Sequence, residues 1–177
     1  MEASAEKQVS FQAELATIDP EKIVYLDQSG VDQTLSPLRG WSKRGAPCPA
    51  TKPGIRGKRT HVIGALAGKK ALAIALLSQA CNSTIFLRWL KDRLLPRLSP
   101  GHVLVLDNAR FHHANAVKVL VQSFGCRLLF LPPYSPELNP IEKTWANLKN
   151  WLRKNKALIT DIPTAIGRYF VSPCKII

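Results

Sequence analysis

The sequence predicts an α/β domain in which helices flank a mixed five-stranded sheet. Two features of the chain support this fold class. Three apolar, β-branched runs come before the first long helical pattern, which favours neighbouring antiparallel strands. Strands and helices then alternate, which favours a parallel pair of strands joined by a helix. At 177 residues, of which 46% are hydrophobic, the chain can bury the core of one such domain.

The first half of the chain supplies three strands. Residues 1–22 are polar and mixed, and we expect a short N-terminal extension there, either a helix or a linker. The apolar run Ile23–Asp27 predicts a buried strand. The runs His61–Ala67 and Ala71–Leu77 predict a pair of strands joined at the turn GKK.

A long connection separates the first strand from this pair. Residues Leu35–Thr60 hold glycines, prolines and basic residues around Trp41. Loops of this length in compact domains are usually functional or disordered. We therefore predict a long loop or an extended hairpin that projects from the core and meets a second subunit or DNA.

The second half alternates helices with strands. The predicted elements are a helix Asn82–Leu98, a strand His102–Leu106, a helix Ala114–Phe124, a strand Arg127–Leu131, a helix Asn139–Asn155 and a last helix Ile162–Phe170. Antiparallel strands followed by parallel ones are the arrangement of the ribonuclease H-like fold. We place this domain at residues 23–156, with residues 157–177 forming a C-terminal helix and tail.

The charge of the chain points to a polyanionic partner. The formal net charge is +13, the pI is about 10.0, and no acidic residue occurs between Asp32 and Asp92. Nucleic acid is the first candidate and an anionic membrane surface the second; a solvated basic surface is the alternative. The most apolar segment is interrupted by Lys69 and Lys70 and is too short to span a bilayer, so we expect no membrane partner.

The four cysteines are far apart and form no CxxC or His/Cys cluster, which argues against a structural zinc site. No signal-peptide pattern occurs, so we expect free thiols in a reducing compartment, the bacterial cytoplasm.

Two aspartates follow predicted strands. Asp27 ends the first strand, and Asp107 comes directly after the strand His102–Leu106. Ligands of open α/β sheets gather beyond the carboxyl ends of strands, so pairing of these two strands would bring the aspartates together. Each also has a local alternative, since Asp27 could start a turn and Asp107 could cap a helix.

A third acid follows a proline-rich stretch. Four prolines fall within positions 132–140 of LPPYSPELNPIEKTW, and Glu142 comes two residues after the last of them. Asn139 predicts a helix N-cap with Glu142 at the third helical position, which is a capping-box arrangement. The same placement fixes the direction of the carboxylate, which a metal site also requires. Lys149 and Arg153 recur on the face of Glu142.

Three converging carboxylates would repel one another unless cations lie between them. Ligands that are all oxygen favour Mg²⁺ or Mn²⁺ over zinc. Two such ions about 3.5–4 Å apart can bind the attacking and leaving oxygens of a phosphodiester. We therefore predict a site for two ions at Asp27, Asp107 and Glu142, in a protein that transfers phosphoryl groups of DNA.

The motifs LDNARFHHA and LPPYSPELNPIEKTWANLK resemble the catalytic core of mariner-superfamily DDE transposases, in particular those of bacterial insertion sequences. Thirty-four residues separate Asp107 from Glu142, which fits the Asp–Asp–Glu spacing of that family. YLDQSG resembles its first-Asp motif, although Gln28 replaces an acid that is frequent there, and GWSKRGAP resembles its loop after the first hairpin. The resemblance covers about Ile23 to Asn155.

This resemblance implies a ribonuclease H-like nuclease and strand transferase whose catalytic acids are Asp27, Asp107 and Glu142. It implies cleavage at transposon ends and insertion at TA dinucleotides, by a homodimer on DNA. Asn108 and His112 belong to the second-Asp motif and are expected around its carboxylate; a surface pair of histidines at a helix start is the alternative for His112.

Family members usually carry helix-turn-helix domains ahead of the core, and 22 residues precede Ile23 here. We therefore expect helix-turn-helix domains, supplied by another chain or by a frameshifted product, to recognise the ends. The charge pattern provides the candidate phosphate contacts, which are Arg44, Arg56, Lys58, Arg59, Lys149 and Arg153.

Overall fold

In a computed structural model, the chain forms a five-stranded sheet of order β3-β2-β1-β4-β5. The structure describes residues 5–33, 41–49, 58–77, 79–109, 112 and 114–171. The strands are β1 Ile23–Asp32, β2 Arg59–Ala67, β3 Lys70–Leu77, β4 Val103–Leu106 and β5 Arg127–Phe130. The α-helices are α1 Ala5–Ala16, α2 Ser83–Trp89, α3 Asn115–Ser123, α4 Ile141–Lys154 and α5 Ile162–Val171.

The pairing of the strands confirms the predicted mixed sheet. The strands β1, β2 and β3 are antiparallel neighbours, whereas β1 pairs with β4 and β4 with β5 in parallel. Tyr25 lies opposite Val105 in the β1–β4 ladder. The same register continued by two residues sets Asp27, in the middle of β1, beside Asp107, which directly follows β4.

Helices cover both faces of the sheet, so that the core consists of two layers. On one face α4 and α5 pack over β1 and β2, and Phe11 of α1 packs over β4 and β5. On the other face α2 and α3 contribute buried residues to a cluster with alternate positions of β1, β2 and β4. Because successive side chains of a strand point to opposite faces, Asp27 and Asp107 lie on the face that α4 covers.

Two elements differ from their predicted bounds by more than two residues. β1 continues to Asp32, because the whole of β2, which begins at Arg59, pairs with residues Val24–Asp32 of β1. The helix predicted from Asn82 starts as expected, with Asn82 Oδ1 accepting a 3.0 Å hydrogen bond from the Ile85 N–H. It changes to a π-helical turn at Leu90–Leu94 and to a 3-10 turn at Leu95–Arg97, where Pro96 lacks the N–H that an α-helix needs.

Part of the long connection Leu35–Thr60 lies outside the described residues. Residues 41–49 are all exposed, and the side chain of Trp41 is fully exposed. Within the part of the chain that the structure describes, no helix is both long and apolar enough to cross a membrane.

Candidate active site

The three predicted acids line one cleft at the edge of the sheet. Asp27 in the middle of β1, Asp107 after β4 and Glu142 in the first turn of α4 share it with Asn108 and Asn139. The proline-rich stretch forms the remaining wall, from Leu131 to Pro136. The sheet register and the start of α4 therefore bring together residues that are 115 positions apart in the chain.

The surroundings of Asp27 shift the pKa of its carboxyl. Burial raises the pKa of its carboxyl to about 7, and the negative charges of Glu142 and Asp107 contribute to the rise. Hydrogen bonds from the Gln28 backbone and from the Trp145 side chain act in the opposite direction on this pKa. The indole Nε1 of Trp145 donates a 2.8 Å hydrogen bond to Asp27 Oδ2.

Asp107 is held by its own loop. Its Oδ1 accepts a 2.9 Å hydrogen bond from the Ala109 N–H and lies 2.7 Å from Nδ1 of His112. His112 is 4% exposed and packs against Phe86 at 4.4 Å between ring centroids. The surface alternative for His112 is therefore wrong, whereas His113 lies outside the described residues. Asn108 donates through Nδ2 to the Leu131 carbonyl oxygen, which connects this loop to the proline-rich wall.

Glu142 is exposed in the first turn of α4, but the capping box predicted for it does not form. The helix begins at Ile141, and no side chain caps it. Asn139 is buried, and its Nδ2 donates a 3.4 Å hydrogen bond to the carbonyl oxygen of Leu26 in β1. Its Oδ1 is buried without a hydrogen-bond partner among the described residues. Tertiary packing thus turns this amide toward β1, and Asn139 connects the strand of Asp27 to the helix of Glu142.

The donor set fits a divalent cation that prefers oxygen. Asp27, Asp107 and Glu142 offer oxygen atoms alone, which suits Mg²⁺ or Mn²⁺. Among the described residues, no group of three acidic, histidine or cysteine side chains is close enough to hold a metal ion as it stands. The carboxylates nevertheless share a cleft and repel one another, and a cation between them would offset this repulsion. The residues therefore fit an open, acid-lined site.

The sequence predicts no role in or beside the cleft for Trp145 or Tyr134. Helical spacing with Ile141, Leu148 and Leu152 places Trp145 on the apolar face of its helix, and its spacing of three from Glu142 is the signal that it lies near the site. Tyr134, in the proline-rich wall, is 67% exposed and has a positive φ of 57°. A non-glycine residue with φ in this left-handed region has a strained backbone. No sequence pattern indicated that Tyr134 would adopt this conformation.

The candidate phosphate contacts differ in exposure. Arg44 and Lys58 are exposed, and Arg59 lies 3.8 Å from Asp32 with about half of each side chain exposed. Lys149 and Arg153 are partly buried on α4, where Arg153 donates to Asn150 Oδ1 at 3.1 Å. Arg56 lies outside the described residues.

The chain resembles known proteins both in sequence and in structure. The sequence profile of DDE superfamily endonucleases matches residues 22–164. An uncharacterized protein of Sinorhizobium fredii (strain NBRC 101917 / NGR234), y4pE/y4sA, is 33% identical over 94 residues, which are 52% of this chain and 67% of that protein.

Two solved structures share the fold. The Mos1 transposase in its paired-end complex with the left transposon end superposes with a TM-score of 0.73 and 17% identity, over 99% of this chain and 58% of the transposase chain. The Mos1 transposase catalytic domain with raltegravir and Mg superposes with a TM-score of 0.54 and 15% identity, over 96% of this chain and 92% of that domain. This chain thus spans less than two thirds of the transposase in the complex. The shared architecture confirms the predicted fold.

Proposed function

Because the chain belongs to the family of DDE superfamily endonucleases, we propose that it is the catalytic part of a transposase of a bacterial insertion sequence. It cuts DNA at the ends of the mobile element and joins those ends to target DNA at TA dinucleotides. The observation that carries this proposal is the convergence of Asp27, Asp107 and Glu142 on one cleft of a strongly basic chain.

The chemistry assigns a role to each side chain of the cleft. Asp27, Asp107 and Glu142 would hold two Mg²⁺ or Mn²⁺ ions, with Asn108 and His112 orienting the loop of Asp107. When bound, such ions lower the pKa of the attacking hydroxyl and neutralise the charge that develops on the phosphate. Water first attacks the phosphodiester and releases the 3′ oxygen of the element end. That 3′ hydroxyl then attacks a target phosphodiester and displaces the 3′ oxygen of the target strand.

The partner that the charge supports is DNA. A net charge of +13 and the candidate contacts Arg44, Arg56, Lys58, Arg59, Lys149 and Arg153 favour a surface that follows phosphates. Phosphate contacts set affinity and register but carry no direct sequence information. We therefore propose that a helix-turn-helix chain supplies recognition of the ends, and that this chain supplies catalysis.

We expect the isolated chain to bind DNA tightly, with a strong dependence on salt and little sequence preference. Each phosphate contact contributes about −0.9 to the slope of log K against log salt. The double variant Lys149→Ala/Arg153→Ala should therefore reduce the magnitude of the slope by about 2, as measured by fluorescence anisotropy across a salt series. Lys118→Ala, an exposed change on α3, is the matched control. A preference of about a thousandfold or more for the element's ends over scrambled DNA would contradict this account.

A homodimer on DNA is the assembly we propose. The fully exposed Trp41 lies among cations in a segment without a partner surface among the described residues. An exposed indole of this size is typical of a contact that another chain covers. Light scattering of the chain on end DNA, for wild type and Trp41→Ala, distinguishes two copies from one.

The function is tested by supplying a pre-cleaved element end and a labelled target in Mg²⁺. We expect joined products with the target cut at TA. Nicking without joining would favour the rival function, a hydrolytic nuclease of the same fold. Binding of DNA without nicking and without Mg²⁺ binding would favour an inactive DNA-binding remnant. The helix-turn-helix chain is added in a parallel reaction, so that a missing recognition partner is not mistaken for a missing activity.

A further inference from the structure

A buried tryptophan on α4 contacts the carboxylate of Asp27. Trp145 lies one turn after Glu142 and is 1% exposed. Its Nε1 donates to Asp27 Oδ2 at 2.8 Å. A buried indole N–H normally requires an acceptor. Trp89, on the other face of the sheet, uses the Ala73 carbonyl oxygen at 2.7 Å, whereas Trp145 uses an acidic side chain of the cleft.

The strand next to β1 leaves room for this contact. Gly64 of β2 lies directly opposite Asp27 in the antiparallel ladder, and side chains at opposite positions project from the same face. A Cβ atom at position 64 would lie 3.2 Å from the Trp145 ring and 2.3 Å from Ile74 Cδ1. The absence of a side chain at Gly64 therefore lets the indole approach the strand beside the acid.

One helix, α4, therefore fixes the positions of two acids of the cleft. The backbone of α4 carries Glu142 directly, and its Trp145 reaches across to Asp27. A carboxylate has about four lone-pair positions on two oxygens, and the indole N–H occupies one on Oδ2. Hydrogen bonds of this kind fix the rotation of a carboxylate that also serves as a metal ligand.

We propose that Trp145 is a positioning residue for Asp27, whose carboxylate it orients so that the remaining lone pairs face the cleft shared with Asp107 and Glu142. This inference rests on the proposed function, because the orientation matters for a divalent cation in that cleft. The competing explanation is that Trp145 only fills the core, where its ring meets Phe170 edge-on at 6.2 Å between centroids.

The substitution Trp145→Phe separates the two explanations, because phenylalanine keeps an aromatic ring in the core and removes the N–H donor. Trp89→Phe is the matched control, since it removes a similar buried indole hydrogen bond on the opposite face of the sheet, away from the Asp27 carboxylate. The primary measurement is Mn²⁺ affinity of the full chain without DNA, followed by electron paramagnetic resonance. We expect Trp145→Phe to weaken Mn²⁺ binding about 10- to 100-fold and Trp89→Phe to leave it unchanged.

A second measurement tests the contact itself. The Trp145 indole N–H resonance, assigned by its loss in Trp145→Phe, should shift when Asp27 is replaced by Asn and when Mg²⁺ is added to the wild type. If Mn²⁺ binds the wild type and Trp145→Phe equally, the positioning role is overturned and the proposed function stands. If the wild type binds no Mn²⁺ although Asp27→Asn shifts the indole resonance, the metal-dependent function fails, and the positioning role fails with it.

Discussion

Replacing Asp107 by Asn is expected to lower cleavage of element-end DNA in Mg²⁺ by at least about a thousandfold. The change removes one negative charge from the acid-lined cleft while keeping the size of the side chain. Loss of a carboxylate that holds the cation removes several kcal/mol of transition-state stabilisation, and about 4 kcal/mol corresponds to three factors of ten in rate. Single-turnover nicking of a labelled end oligonucleotide measures the effect.

The control for this variant is Asp92→Asn. Asp92 is an exposed acid on the helical segment after α2, paired with Arg88 at 3.6 Å, and far from the cleft in the fold. We expect its nicking rate to match the wild type, and both variants to keep the wild-type circular dichroism. Wild-type nicking by Asp107→Asn would remove this residue from the catalytic assignment, whereas equal losses in both variants would indicate a general defect.

Replacing Asp27 by Asn is expected to stabilise the metal-free protein at neutral and alkaline pH. The folded-state pKa of Asp27 is raised from 3.8 to about 7, mainly by burial. Below the ordinary pKa, the carboxyl is protonated in both states and has no effect on folding. As the pH rises to about 7, the unfolded state releases this proton first, so the free energy of unfolding falls by about 1.4 kcal/mol per pH unit. Asparagine does not titrate and avoids this loss.

The free energy of unfolding of Asp27→Asn, relative to that of the wild type, should therefore increase by about 4 kcal/mol between pH 4 and pH 8. Urea unfolding in EDTA at several pH values measures it, with Asp92→Asn as the variant that should follow the wild type throughout. Adding Mg²⁺ at pH 8 should reduce the difference in the free energy of unfolding between Asp27→Asn and the wild type. A cation that binds only the folded wild-type protein stabilises that folded state. Parallel pH profiles for the wild type and Asp27→Asn would show that this carboxyl is not perturbed.

Most elements of the fold could be predicted because their signals are local. Short apolar runs bounded by turn residues predict the strand at Ile23 and the parallel strands around His102–Leu106 and Arg127–Leu131. The start signal at Asn139-Pro140 predicts the helix that follows. The convergence of Asp27 and Asp107 could also be predicted from the pairing of their strands, although Asp27 lies in the middle of β1 and only Asp107 follows the end of its strand.

The differences arise where distant contacts overrule local patterns. Asn139 has the composition of an N-cap, yet burial between β1 and α4 directs its amide to the Leu26 carbonyl oxygen. His112 stands beside a helix start, yet its ring fills a space next to Phe86. Trp145 combines a core position with a polar contact, and helical periodicity reports only the core position.

The pairing of Gly64 with Asp27 beneath Trp145 has an evolutionary consequence. A Cβ atom at position 64 would lie 2.3 Å from Ile74 Cδ1 and 3.2 Å from the Trp145 ring, so a larger residue there requires Ile74 to move or to become smaller and the indole to shift slightly. The effects of substitutions at residues in contact do not add. Substitutions at these positions are therefore tolerated mainly in combination. Homologues are therefore expected to covary at positions 64, 74 and 145, and lineages that lose the indole must orient the first aspartate with a donor from another element.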